Sequence, residues 1–132
     1  MDWEALVTAA SEARRHAYAP YSGFQVGAAV LADGDIHSGC NVENRSYGLA
    51  LCAERLAVAS AAGAGARHLE ALVVLAEAEP PARPCGPCLQ VLTEFADPDL
   101  PILLCNTRGA RDLVYLRDLL PQPFRLPRAV DP

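Results

Sequence analysis

A chain of 132 residues, 52% hydrophobic and 20% charged, is sized for one globular domain spanning 1–132, burying roughly two-thirds of the surface its unfolded form exposes. Its net charge is −5 and all 11 basic residues are arginine, which excludes P-loop and Schiff-base lysines and argues against a nucleic-acid partner. The acidic Met1-Asp2-Trp3-Glu4 start is unlike a secretory leader, and no apolar run nears the ~20 residues that cross a bilayer, so a cytoplasmic protein with no membrane partner is expected.

In chain order, Asp2 can cap a helix whose apolar positions Trp3, Leu6, Val7, Ala10, Ala13 and Ala17 recur at helical spacing and which should stop before Pro20. Gln25 to Leu31 reads as a strand, Asp33-Gly34 as a hairpin turn and Ile36 to Val42 as the returning strand. The polar stretch Asn41 to Gly48 is a loop, followed by an alanine-rich helix from Leu51 to Ala62 that Gly63 and Gly65 end. Leu69 to Leu75 and Pro101 to Cys105 are buried strands, separated by a proline-rich connection and a helix from Cys88 to Ala96. Leu113 to Tyr115 reads as a short edge strand and Arg117 to Leu120 as a brief helix. This order predicts an α/β fold in three layers, α/β/α, around a mixed five-stranded sheet.

Five cysteines is an odd number, and nothing points to an oxidising compartment, so metal or thiol chemistry is the natural reading. Cys40 and Cys105 sit in or beside apolar runs and read as small buried hydrophobes. Cys52, Cys85 and Cys88 are different: each falls at a predicted helix start, where the positive end of the helix dipole favours thiolate. Three sulfurs suit zinc and leave one tetrahedral position open, as in catalytic sites. Glu54, two residues after Cys52, is then free to move protons. On spacing alone, an exposed helix carboxylate paired with an arginine is the alternative for Glu54.

Cys85-Gly86-Pro87-Cys88 also matches, letter for letter, the dithiol motif of thioredoxins. That alternative would leave Cys52 and Glu54 idle, and it expects an aromatic residue where this chain has Arg83-Pro84.

Taken together, the motifs resemble those of the small, homotetrameric, zinc-dependent cytidine deaminases. The similarity runs from about Tyr18 to Phe124, through Tyr21-Ser22-Gly23-Phe24-Gln25-Val26-Gly27-Ala28-Ala29, Gly39-Cys40-Asn41-Val42-Glu43-Asn44 with Ser46-Tyr47-Gly48, Cys52-Ala53-Glu54-Arg55, and Pro84-Cys85-Gly86 with Cys88 and Gln90. Zinc deaminases with an H-x-E and P-C-x-x-C pattern are a known class; here Cys52 stands in place of the histidine.

The resemblance implies one Zn²⁺ per chain held by Cys52, Cys85 and Cys88, with Glu54 as the proton carrier in converting cytidine and deoxycytidine to uridine and deoxyuridine, a pyrimidine-salvage reaction. It implies that Phe24 packs on the base, that Asn41 and Glu43 hydrogen-bond the ribose, and that the Ala53 N–H meets the base carbonyl. It further implies a homotetramer in which Tyr47 and Phe124 complete neighbouring subunits' pockets. One departure stands out. The family commonly carries Arg after the last cysteine, whereas this chain has Leu89, leaving Arg55 to offset the negative charge of three thiolates. A deaminase of a modified cytosine nucleoside, such as blasticidin S, is an alternative within the same class, although the intact Asn41-x-Glu43 pair and Phe24 favour an ordinary ribose and base.

Overall fold

A computed structural model describes residues 1–126 of the protein. Helix α1 runs from Trp3 to Arg14 and is followed by the strands β1 (Val26–Ala32) and β2 (Asp35–Cys40). A single 3₁₀ turn, Tyr47–Leu49, leads into α2 (Ala53–Gly63), then β3 (Leu69–Ala76), α3 (Gly86–Phe95), β4 (Pro101–Asn106), β5 (Arg111–Tyr115) and the short α4 (Leu116–Leu119). The sheet order is β2-β1-β3-β4-β5, with only the β3–β4 pair parallel. The expected mixed five-stranded sheet is therefore present.

Side chains alternate across the sheet as a strand's two-residue period requires. Ala28 and Val30 of β1, Leu72 and Val74 of β3, and Ile102 and Leu104 of β4 face α2 and α3, packing with Ala57, Val58, Ala61 and Leu92. Ala29, Ala71, Val73, Leu103 and Cys105 point the other way, onto Leu6 and Ala10 of α1. Helices on opposite faces give the three layers. Cys105 is buried as a small hydrophobe, as expected, whereas Cys40, also expected to be buried, is only half-buried because it ends the edge strand β2.

Several boundaries differ from the sequence expectation for reasons of hydrogen bonding. The first helix ends at Arg14 rather than just before Pro20, because His16 and Ala17 donate to carbonyls only three residues back and Tyr18 leaves to bridge Val42. Strand β2 stops at Cys40 because the Asn41 N–H turns to the Val26 carbonyl, while Val42 exchanges hydrogen bonds with Leu51. The third helix begins at Gly86, not Cys88, with Cys85 as its N-cap and Pro87 in its first turn, where a missing N–H costs nothing. The Asp33-Gly34 turn forms as expected, both residues having positive φ (49° and 88°), the requirement of a type I′ hairpin.

Two close approaches set where α2 and α1 lie. A Cβ on Gly39 would sit 2.5 Å from the Ala57 nitrogen and 2.8 Å from the Ala53 carbonyl oxygen, so only glycine lets the start of α2 rest on β2. Gly27 does the same for α1, where a Cβ would collide with the Ala10 carbonyl oxygen.

Candidate metal centre and active site

Cys52 is the N-cap of α2 and Cys85 the N-cap of α3, and neither side chain caps its helix. An N-cap side chain ordinarily bonds the exposed N–H groups of the first turn. Here both sulfurs are released to meet each other. Cys88 lies in the first turn of α3, buried beside them. The three Sγ atoms lie within 4.8 Å of one another, with Cys52 to Cys85 at 3.6 Å and Cys85 to Cys88 at 3.1 Å. All are free thiols. Zn–S bonds of about 2.3 Å in a tetrahedron put sulfurs about 3.8 Å apart, so the triangle accepts zinc with sub-ångström adjustment. Among the described residues these are the only three thiol, imidazole or carboxylate groups that converge in this way.

The electrostatics agree with that donor set. Cys52 is lowered to about 5, chiefly by its hydrogen bond with Cys88 and, against the cost of burial, by the Arg55 guanidinium 3.7 Å from its sulfur. The same Cys52–Cys88 bond, with burial, pushes the Cys88 thiol up. One thiolate and one retained proton are thus shared at the site, and a dication would displace that proton. Arg55 also donates to the Ala50 carbonyl at 3.1 Å, which fixes the guanidinium at the cluster; its Nε is buried without a partner.

Glu54 is only 5% exposed and is pushed up to about 7. Burial is the main cause, reinforced by the Cys52 charge and opposed by its own backbone N–H and by Arg55. It is not the solvated carboxylate that its helix position would allow. A carboxyl titrating near neutrality can both take and give a proton at physiological pH. Beside it the fully buried Ala53 opens α2, so its N–H is among those that no helical carbonyl meets.

The other candidate residues lie outside the cysteine cluster, on segments that hydrogen bonds tie to it, and Phe24 lines a different surface cavity from Glu43 and Tyr47. The Val42–Leu51 bridge, with both hydrogen bonds at 2.9 Å, ties the Asn41-Val42-Glu43 segment to the strand leading into Cys52. Asn41 spans the entry to β1, its Nδ2 donating to the Phe24 carbonyl at 2.7 Å and its Oδ1 accepting from the Val26 N–H at 2.8 Å. The Glu43 carboxylate accepts the Tyr21 and Ser22 N–H groups and the Ser22 hydroxyl, which hold it below its ordinary range. Both residues therefore also brace the Tyr21–Val26 segment. Phe24 is 42% exposed. Glu43, Tyr47 and Ala50 line a surface cleft of about 380 Å³. Tyr47 (83% exposed) and Phe124 (70%) are surface side chains. Gln90 of α3 donates to the Phe124 carbonyl at 3.0 Å, holding the tail next to the cysteine helix.

The sequence motifs contained Ser22, Gly39 and Gln90 but gave no reason to assign them roles. Their importance lies in contacts between segments far apart in the chain. Leu89 is buried in the apolar cluster between α3 and the sheet and sends no charge toward the sulfurs.

Comparison with known proteins agrees with this geometry. The sequence model of the "Cytidine and deoxycytidylate deaminase zinc-binding region" matches residues 1–104. The cytidine deaminase of Sporosarcina psychrophila is 46% identical over 125 residues, 94% of this chain and 92% of that protein. That of Halalkalibacterium halodurans is 44% identical over 125 residues, 94% and 95% of the two chains. The crystal structure of a Burkholderia pseudomallei cytidine deaminase superposes with a TM-score of 0.89 at 48% identity, covering 94% of this chain and all of that one. Neither the thioredoxin-like reading nor a modified-nucleoside deaminase is favoured: Cys52 joins the two later thiols, and these relatives are cytidine deaminases.

Proposed function

This chain belongs to the cytidine deaminase family, and we propose from that premise that it hydrolyses cytidine and deoxycytidine to uridine and deoxyuridine, releasing ammonia. The observation that carries the reading is the convergence of three sulfurs from two helix starts beside a buried carboxyl poised near neutrality.

Cys52, Cys85 and Cys88 would hold one zinc ion, with Arg55 offsetting part of their charge. Zinc there supplies Lewis acidity, making a water nucleophilic near pH 7. Glu54 takes a proton from the attacking water and delivers it to N3 of the pyrimidine as the oxygen adds at C4. It then moves the remaining hydroxyl proton to the amino nitrogen, so that ammonia leaves and a C4 carbonyl remains. Both transfers suit a carboxyl of about 7. The Ala53 N–H, at the positive end of α2, binds the base carbonyl. Phe24 packs on the base, while Asn41 and Glu43 receive the sugar hydroxyls with hydrogen-bonding capacity left over from bracing the loop.

The chain folds as one domain, 1–132, of which 127–132 lie outside the described residues. It assembles as a homotetramer in which Tyr47 and Phe124 reach neighbouring subunits' pockets. Support comes from their exposure together with that of Leu49 and Leu51, since side chains of this size are commonly covered in an assembly. The protein works in cytoplasmic pyrimidine salvage. Free thiols fit a reducing compartment, and no described helix is long and apolar enough to cross a membrane.

The test is to incubate purified protein with cytidine and with deoxycytidine and to measure ammonia and the uracil nucleoside. Stoichiometric products that disappear in Glu54→Gln support the reading, and their absence from the zinc-loaded wild type refutes it.

A further inference from the structure

One hydroxyl joins the two halves of the nucleoside site. Ser22 Oγ donates to Glu43 Oε2 and accepts the Phe24 N–H at 3.0 Å. Glu43 is the carboxylate assigned to the sugar, and Phe24 is the ring assigned to the base. No other side chain among the described residues hydrogen-bonds to both.

We propose that Ser22 is a positioning residue for the nucleoside, its hydroxyl aligning the Glu43 carboxylate with the backbone that carries Phe24. This rests on the function given above and adds a residue to that site.

The argument follows from hydrogen-bond capacity. The Glu43 carboxylate rotates about its terminal torsion, which is broad and roughly two-fold. The Tyr21 and Ser22 N–H groups both donate to Oε1, at 2.9 and 3.2 Å, leaving Oε2 to the Ser22 hydroxyl. Removing that hydroxyl frees Oε2 to turn. It also leaves the Phe24 N–H without its acceptor, although Asn41 still holds the Phe24 carbonyl. Serine is well suited to this task because a hydroxyl donates once and accepts at the same time. Ser22 is exposed, and neither its carboxylate nor its amide partner lies in the core, so its removal should leave the fold intact.

The experiment measures steady-state kinetics of wild type, Ser22→Ala and Ser22→Thr on cytidine, 2′-deoxycytidine and 3′-deoxycytidine, with zinc content and circular dichroism as controls. In Ser22→Ala, KM for cytidine should rise about tenfold with kcat changed less than about twofold. That penalty should shrink to about twofold on the analogue lacking the hydroxyl that Glu43 holds. Ser22→Thr, which keeps the hydroxyl, should return KM to within about threefold of wild type. Equal penalties on all three nucleosides, no penalty, or failure of threonine to rescue would each overturn the proposal. Should the alanine variant not fold, Ser22→Cys, whose thiol is a weak donor, provides the same comparison. An independent arm is amide exchange at Phe24, expected to be about tenfold faster in Ser22→Ala. An unchanged rate refutes the link whatever the enzyme's substrate. Wild type inactive on every nucleoside counts instead against the function itself.

Discussion

Gly39 and Ala57 meet where β2 supports α2, leaving no room for a side chain: a Cβ on Gly39 would stand 2.5 Å from the Ala57 nitrogen. That contact fixes the height of α2 over the sheet and hence where Cys52 and Glu54 are delivered. Gly39→Ala must push the helix away, because the clash is with backbone rather than a movable side-chain tip. Overpacking of this kind costs about 1–3 kcal/mol or more. Urea unfolding should show that loss, and zinc content per chain should fall with it. A variant with full zinc and unchanged stability would refute this account of α2.

Glu54 carries a stability cost that depends on pH. Its folded value is about 7 against an ordinary 4.5, so the fold prefers the protonated form. The stability it contributes is complete below about pH 4.5, declines above it, and is lost as pH rises through about 7. Metal-free Glu54→Gln, which has no proton to lose, should therefore be about 3 kcal/mol more stable than metal-free wild type at pH 8, with the gap closing toward pH 4.5. Denaturant curves under reducing conditions at pH 5 and pH 8 test this directly. The same substitution should abolish deamination.

Arg55 holds the negative charge of the sulfur cluster, and Leu89 does not share the task. Replacing Arg55 with glutamine should weaken zinc binding by about 10–100-fold, the usual effect of losing a partner that supports a ligand. Competition against a chromogenic chelator at pH 7 measures it. The defect should grow at lower pH, because Cys52 then loses part of what keeps it ionised. Leu89→Arg should move the acid limb of the pH–rate profile to lower pH by adding a second cation near the sulfurs. No movement of that limb would show that Arg55 alone sets the charge.

Zinc uptake should release protons. The Cys52 thiol is lowered to about 5, but the Cys88 thiol is pushed up by its bond with Cys52 and by burial, so binding must expel a proton there. Calorimetric titration of the metal-free protein in two buffers of different ionisation enthalpy should yield different apparent heats, corresponding to about one proton or more. Identical heats would contradict this charge distribution. Stripping the metal should also lower the melting temperature, since zinc then no longer joins the starts of α2 and α3.

The chain by itself determined the order of helices and strands, because helical and two-residue hydrophobic periods survive in any context. It also determined the hairpin turn at Asp33-Gly34 and pointed to the set Cys52, Glu54, Cys85 and Cys88, whose residue types suit a metal site with a proton carrier beside it. Element ends were less legible, because they are set by partners far along the chain: Tyr18 leaves α1 for Val42, and Asn41 leaves β2 for Val26. Only tertiary structure decided that the three sulfurs meet, that the Cys52 thiol is lowered while the Cys88 thiol is raised, and that Glu54 is buried. It alone revealed the hydrogen bonds of Ser22 to Glu43 and Phe24 and the close approach at Gly39. Those properties depend on distances between segments and on the exclusion of water, which arise only when the sheet and its two layers of helices have packed.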